Sequence, residues 1–248
     1  MQNFTTASLK GHHDMEEQIL QLQNYINGSR YTVAITGAGI SMAAGIMDFA
    51  HMNFPLVLQM SSSAVLKSAP NHYYNTARKA FLNAMFENGP SIAHRKLAEY
   101  ERRGLLQGVI TTNIDCLHTL AGSRNVAEIQ GSFGFNKCLK CGQEYNDVQI
   151  WNQGKAPRCE KCGGVIGAFP VYKHIGLVED EVRKARSFAA QAELVIIIGA
   201  QGSYGGVYYP YIRSGARIVQ INPKATQFDD VAVLNIRKGA DEVFDMLQ

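Results

Sequence analysis

The stretch Tyr31-Thr32-Val33-Ala34-Ile35-Thr36-Gly37-Ala38-Gly39 decides the fold. Six residues of short, mostly apolar chain run straight into two glycines. A buried strand entering a glycine turn fits this pattern better than a helix does. The alanine-rich segment 41–47 then reads as a helix. Upstream, residues 15–27 carry Ile19, Leu20 and Leu22 as an apolar stripe and stop at Gly28, which predicts an amphipathic helix.

Working outward, the same alternation recurs. Residues 51–104 read as mostly helical, with Ser91 capping a helix that carries Ala93, Leu97 and Tyr100 and ends at Gly104. Strand signals follow at 105–112, 126–129, 194–198, 217–221 and 231–236. A charged, alanine-rich helix is predicted over 179–192. The last helix places Ala240, Val243, Phe244 and Leu247 at i, i+3, i+4 and i+7. Strands alternating with helices predict an α/β fold, a Rossmann-type parallel sheet with helices on both faces plus a small zinc-binding domain. The expected division is a discontinuous main domain of 1–50, 90–135 and 165–248. A small domain is then built from a helical part, 51–89, and a cysteine module, 136–164. Ligands of such sheets bind outside the carboxyl ends of the strands. Residues 37–41, 113–115, 130–132, 199–203 and Asn222 are expected there.

Composition adds bounds. At 248 residues, 46% hydrophobic and 18% charged, the chain has an ordinary globular make-up. A formal charge of +3 without a basic stripe gives no reason to infer nucleic acid. No apolar run approaches the roughly 20 residues that span a bilayer. Residues 1–17 have no apolar stretch of the secretory kind, and Gly11-His12-His13 is expected to be a solvated tail.

Four of the five cysteines form two pairs, Cys138-x-x-Cys141 and Cys159-x-x-Cys162, enclosing residues 142–158. That spacing predicts a tetrahedral zinc site with four thiolate ligands. Gly142 and Gly163 would serve tight turns after each pair, and Lys137, Lys140, Arg158 and Lys161 would offset the negative charge. Four thiolates leave no open position, so the metal is structural and its binding holds the insert folded. Free thiols in this arrangement suit a reducing compartment, which favours the cytosol. Cys116 reads as a small apolar packing residue.

Gly37-x-Gly39, between a strand and a helix, has the context of a dinucleotide phosphate site. A tight structural turn explains it equally well. The third motif position is Met42, and no acidic residue stands roughly 20 residues on, which disfavours an ordinary dehydrogenase.

Taken in order, Gly37-Ala38-Gly39-Ile40-Ser41, Thr112-Asn113-Ile114-Asp115, Gln130-Gly131-Ser132, the two cysteine pairs, Ile198-Gly199 and Ile221-Asn222 resemble the sirtuins. The resemblance covers nearly all of the chain from about residue 30 onward. It implies NAD as cosubstrate, bound between a Rossmann domain and a zinc-bearing domain and cleaved at its nicotinamide–ribose bond. It further implies that Gly37, Ala38, Gly39 and Ser41 line the phosphates, with Asp48 and Phe49 beyond them. Ile114 and Asp115 would hold the carboxamide, and Asn113 the nicotinamide ribose. Gly199, Ala200, Asn222 and Ala240 would line the adenosine half.

The chain departs from that family's pattern in three places. Gln130-Gly131 stands for its His-Gly, Met47-Asp48-Phe49-Ala50 for its Pro-Asp-Phe-Arg, and Val171-Tyr172-Lys173-His174-Ile175-Gly176 is a partial match to its acyl-lysine loop. Histidine takes a proton near neutral pH; a glutamine amide only hydrogen-bonds. Breaking the nicotinamide bond needs positioning and electrostatic support more than a base. Gln130 in this place is similar to the macrodomain-linked, class M sirtuins. That similarity implies protein mono-ADP-ribosylation with Asn113, Asp115 and Gln130 as catalytic residues. It also implies a lipoyl-carrier, H-protein-like acceptor and a macrodomain hydrolase as partners. Deacylation, NAD hydrolysis and non-catalytic NAD sensing stay open as alternatives. Asn113 as a helix cap, His118 as a packed residue and the tyrosine-rich segment 204–211 as a lid complete the expectations.

Overall fold

The computed structural model describes residues 3–46, 54–173, 176–201, 208–212 and 215–248. In chain order the elements are α1 (Asn3–Gly28), β1 (Thr32–Thr36), a 3-10 turn (Ala38–Ala44), α2 (Phe54–Met60), α3 (Ser63–Ser68), α4 (Pro70–Ala77) and α5 (Ile92–Arg102). Then come β2 (Gly108–Thr111), α6 (Leu117–Leu120), β3 (Val126–Glu128), β4 (Asn136–Cys138), β5 (Glu144–Tyr145) and β6 (Ile166–Ala168). α7 (Phe169–Tyr172), α8 (Glu179–Gln191), β7 (Leu194–Ile198), β8 (Arg217–Ile221), β9 (Leu234–Ile236) and α9 (Ala240–Met246) complete the chain.

Six strands form one parallel sheet in the order β3-β2-β1-β7-β8-β9. The apolar runs are continuous because both faces are covered. On one face Leu22, Ile26, Leu97, Val243 and Phe244 pack against Ala34, Val109, Ile196 and Val219. On the other, Ala185 and Ala189 of α8 with Phe228 and Tyr208 cover Val33, Ile35, Ile110 and Ile197. Each fully buried aliphatic or phenyl side chain contributes roughly 1.5–3 kcal/mol. The register puts the strand ends in one row. Thr36 pairs with Thr111 and Ile198, Thr111 with Glu128, Ile198 with Ile221, and Ile221 with Ile236.

Some local expectations change. α1 starts at Asn3, so Gly11-His12-His13 lies within the helix and not in a loose tail. One interior glycine costs only about 1 kcal/mol, which a 26-residue helix absorbs. Ser91 does not cap α5 with its side chain. The carboxylate of Asp241, at the start of α9, accepts from the backbone N–H groups of Ile92 and Ala93 at 3.2 and 3.0 Å. That cap comes from a distant residue and leaves no local sequence signal.

A second core gathers Tyr73, Tyr74, Phe81 and Met85 against Phe133, Trp151 and Val171. The chain between α4 and α5 continues as two π-helical turns, Arg78–Leu82 and Ala84–Asn88. A three-stranded antiparallel sheet, β5-β4-β6, carries the cysteine insert. Trp151, fully buried, donates from Nε1 to Asn136 Oδ1 at 2.8 Å and meets Phe133 edge-on with centroids 5.1 Å apart. The insert therefore closes against the helices that precede α5.

Candidate active site

The row of strand ends delivers several turns to one edge of the sheet. Ladder hydrogen bonds carry the pairing one step further. Gly37 N–H reaches Ile198 O at 3.1 Å, Ile129 N–H reaches Thr111 O at 3.1 Å, Gly199 N–H reaches Ile221 O at 3.0 Å, and Asn222 N–H reaches Ile236 O at 3.1 Å. Strand order reverses between β1 and β7, so the turns at Gly37 and Gly199 flank the switch point where such sheets bind ligands.

Why glycine stands here is visible. A Cβ on Gly39 would lie 2.6 Å from the Gly199 Cα, and one on Gly199, whose φ is +56°, would lie 2.5 Å from the Gly39 carbonyl carbon. Gly39 N–H also donates to Gly199 O at 2.9 Å. The two turns are in backbone contact, so close packing alone requires these glycines. Asn222 braces the second turn, donating from Nδ2 to Ala200 O at 3.2 Å. Ala240 opens α9, which packs against the 3-10 turn that follows Gly37.

The predicted α-helix over 41–47 is instead the 3-10 turn Ala38–Ala44, ended by Gly45 at φ +82°. Ser41 therefore points into a network. Its Oγ donates to Asp115 Oδ2 at 2.7 Å and accepts from Asn113 Nδ2 at 3.2 Å. Asn113 Nδ2 also donates to Gly37 O at 3.1 Å. Asn113 does not cap α6; Asp115 Oδ1 accepts from Leu117 N–H at 3.0 Å and does so instead. Burial raises the Asp115 carboxyl above its ordinary pKa, against the hydrogen bonds that stabilise its charge. Cys116 is buried, as its apolar reading expects, and holds a φ of +58°, which costs a non-glycine residue roughly 1–2 kcal/mol.

Gln130 is half-buried, two residues past the end of β3, as Asn113 is two past the end of β2. Because Glu128 pairs with Thr111, both stand at one level beyond the sheet edge. The turn is fixed by Gly131 N–H to Glu128 O at 2.8 Å and tied to the neighbouring turn by Phe133 N–H to Ile114 O at 3.0 Å. Gly131 has φ +67°, and a Cβ there would meet the Phe169 ring at 2.4 Å. The structure thus gathers Gly37, Ala38, Gly39, Ser41, Asn113, Ile114, Asp115, Gln130, Gly199, Ala200 and Asn222 at one edge. Asp48, Phe49, residues 202–203 of the 199–203 cluster, residues 204–207 of the expected lid, and His174 and Ile175 lie outside the described residues.

Two buried groups, Glu128 and His94, escaped the sequence reading. Glu128 and Ser132 form a buried pair, Ser132 Oγ donating to Glu128 Oε2 at 2.7 Å. Glu128 was legible as the one charge in the apolar run 126–129. His94 packs against His118 with ring centroids 4.7 Å apart. Ser91 Oγ meets His94 Nδ1 at 3.0 Å, and Thr36 Oγ1 meets His118 Nε2 at 2.9 Å. The spacing of Ser91 and His94 three apart was the available signal.

Burial lowers the pKa of both rings, His94 to about 3, with Arg95 adding to the effect on His94 and His94 to that on His118. A depressed histidine pKa contributes stability above the unfolded value of about 6.5, and that contribution drains away as pH falls towards the folded pKa. Each neutral ring then costs on the order of 1 kcal/mol of stability at pH 5.5. Glu128, raised by burial to about 7, works in the opposite sense between pH 7 and the ordinary glutamate range. In a Glu128→Gln background the urea midpoint should therefore fall steadily from pH 7.5 to 5.5. The ring resonances of His94 and His118 should not titrate over that range, and either ring protonating in the folded state would refute the assignment.

The four cysteine Sγ atoms all lie within 4.8 Å of one another, with Cys138–Cys162 and Cys141–Cys159 at 3.6 Å. A tetrahedral zinc with bonds of about 2.3 Å needs sulfurs about 3.8 Å apart, so the set fits that ion. The two halves repeat one knuckle. Gly142 N–H reaches Cys138 O at 3.0 Å and Gly163 N–H reaches Cys159 O at 2.8 Å, with φ of +77° and +69°. Tyr145 OH donates to Cys159 Sγ at 3.1 Å, and the backbone N–H groups of Lys140 and Cys141 point at Cys138 Sγ.

A sequence model of the Sir2 family matches residues 37–204, well over half of the chain. The chain belongs to the Sir2 family. Over 242 residues it is 36% identical to NAD-dependent protein deacetylase 1 of Pyrobaculum aerophilum, covering 93% of this chain and 94% of that one. It is 34% identical to the NAD-dependent protein deacetylase of Thermotoga maritima, covering 84% and 88%. It is 30% identical to the NAD-dependent protein deacylase of Thermococcus kodakarensis, covering 88% and 90%. A solved Sir2 structure with a p53 peptide and NAD+ superposes with a TM-score of 0.73 at 32% identity, covering 91% of this sirtuin and 95% of that chain. Another, from work on sirtuin substrate affinity, reaches 0.77 at 32% identity, covering 91% and 96%. Among the described residues of this sirtuin, no helix is long and apolar enough to cross a membrane.

Proposed function

We propose that this sirtuin is an NAD-dependent enzyme that breaks the nicotinamide–ribose bond and passes ADP-ribose to a protein acceptor. The observation that carries the reading is Gln130. It stands at the level of Asn113, beside a turn held by Gly131 and Phe133, where a proton-accepting side chain would serve deacylation. NAD supplies the activated ribose. Asn113 and Asp115, locked through Ser41, orient the nicotinamide end, and Gln130 holds a ribose hydroxyl without taking its proton. The Gly37–Ser41 and Gly199–Ala200 turns, with Asp48 and Phe49, line the phosphates and the adenosine half; Asn222 and Ala240 complete that end. The acceptor nucleophile bonds to the ribose carbon as neutral nicotinamide leaves, and its proton goes to solvent or to a nearby carboxylate.

Class M character, a lipoyl-carrier acceptor and a macrodomain partner extend this reading. The division into a main domain and a small zinc-bearing domain belongs to it as well. A second reading, deacylation, is favoured by the names of the relatives. One assay separates them. Purified sirtuin is given labelled NAD with a lipoyl-carrier protein, and separately with an acyl-lysine peptide. Label fixed on the carrier, lost in Asn113→Ala and reduced at least about tenfold in Gln130→Ala, is the expected result. NAD-dependent loss of the acyl group without protein-bound label would overturn transfer in favour of deacylation.

A further inference from the structure

We propose that Glu128 is a second buried carboxylate of this cleft, a positioning residue that clamps the Gln130 turn through Ser132 and gives up a proton when NAD binds. The inference rests on the reading that NAD occupies this edge of the sheet.

The geometry is specific. Glu128 is the last residue of β3, and its backbone carbonyl, bonded by Gly131 N–H, opens the turn on which Gln130 stands. Only 8% of it is exposed. Ser132, fully buried, donates to its Oε2 at 2.7 Å, and Gly134 N–H donates to Ser132 Oγ at 3.1 Å. With Gly131 N–H on Glu128 O, these bonds close the 128–134 turn on both its main chain and its side chains. An ionised Glu128 accepts the Ser132 hydrogen bond more strongly than a protonated one, so the charge of the carboxyl and the stiffness of the turn are linked.

Among the described residues, the charged and titratable groups around it are few. Asp115 and Cys116, ahead of α6, face it from one side; Glu181 and Lys184 of α8 face it from the other. Glu181 Oε2 accepts from the Glu128 backbone N–H at 3.0 Å, and Lys184 Nζ donates to Val126 O at 2.7 Å. Burial, with Asp115 and Glu181 adding like charge, raises Glu128 to about 7, so near neutral pH it is part-protonated. NAD carries a fixed positive charge on its pyridinium ring, and the cofactor reading sets that ring at Ile114 and Asp115. A cation brought to a pair of buried carboxylates favours their ionised forms, and the proton leaves for the buffer. NAD binding then tightens the turn that presents Gln130.

The test is calorimetry of NAD binding at pH 6, 7 and 8, in buffers of different ionisation enthalpy. If bound NAD lowers the Glu128 pKa by one, release is about 0.4 proton per NAD at pH 7, and affinity rises about fivefold from pH 6 to pH 8. Glu128→Gln, which leaves Asp115 ionisable, should bind NAD with the release at pH 7 largely lost and a much flatter pH dependence. Ser132→Ala, which removes a bond favouring the charge, should move the release to higher pH, a displacement that a purely structural role would not produce. Release unchanged in Glu128→Gln, or absent from the native protein while NAD still binds, overturns the proposal. No NAD binding at any of the three pH values overturns the cofactor reading and this proposal with it.

Discussion

Removing the metal from the four-cysteine module is expected to shift the tryptophan emission to the red and lower Tm by roughly 10 °C. The chain has a single tryptophan, so its fluorescence reports one place. Trp151 sits inside the insert, fully buried between Tyr73 and Phe133, with its indole N–H on Asn136 two residues from Cys138. β4, β5 and β6 are short, and the insert's own apolar cluster is little more than Cys138, Cys159 and Ile166. Structural zinc sites of this size draw most of their folding free energy from the metal. Once the knuckles open, Asn136 is no longer held by β4 pairing, and the packing around Trp151 goes with it. Losing the packing of a buried aromatic costs roughly 3–5 kcal/mol. At roughly 2–4 °C per kcal/mol for a chain of this size, that gives the stated change in Tm. Cys159→Ser should reproduce it without a chelator. An emission maximum and Tm unmoved in protein shown to be metal-free would mean that the module holds itself together, and the structural assignment would fall.

Much of this architecture is legible in the residues. The strands of the parallel sheet can be located because burial on both faces makes them continuous apolar runs, as in Leu194–Ile198. The zinc site can be read because metal geometry fixes the spacing of the cysteines, and the glycines after each pair follow from the left-handed turn. What could not be read comes from pairings between distant segments. Asp241 caps α5 across 148–149 positions, Ser41 meets Asp115 across 74, and His94 stacks on His118. None of these partners is marked by a local pattern. The glycine turn shows the reverse difficulty. Gly37 and Gly39 suggest a phosphate cradle, yet the backbone of Gly199 and Ala200 is reason enough for their lack of side chains. The cleft is supported by the convergence of strand ends at the switch point more than by the glycines themselves.

Gln130→His is the substitution with the largest expected effect on chemistry. Acyl-lysine deacylation should rise by about 100-fold or more, the usual contribution of a positioned general base, while label transfer to protein falls. The position suits an imidazole. Gln130 is half-buried, and its turn is pinned by Gly131 and Phe133. A ring there takes a proton from a ribose hydroxyl, so the rate should gain an ascending limb near the histidine pKa of about 6.5 that Gln130 cannot give. The alternative loss, Gln130→Ala, separates orientation from base chemistry because it removes the amide without adding a proton acceptor. If Gln130→His leaves both deacylation and transfer where they were, the amide at 130 does not decide the fate of the cleaved sugar. The altered 171–176 loop, which departs from the family's acyl-lysine segment, would then be the place to look. If deacylation rises with pH as expected, a single nitrogen heterocycle at the end of β3 separates the two outcomes, and the rest of the cleft serves both.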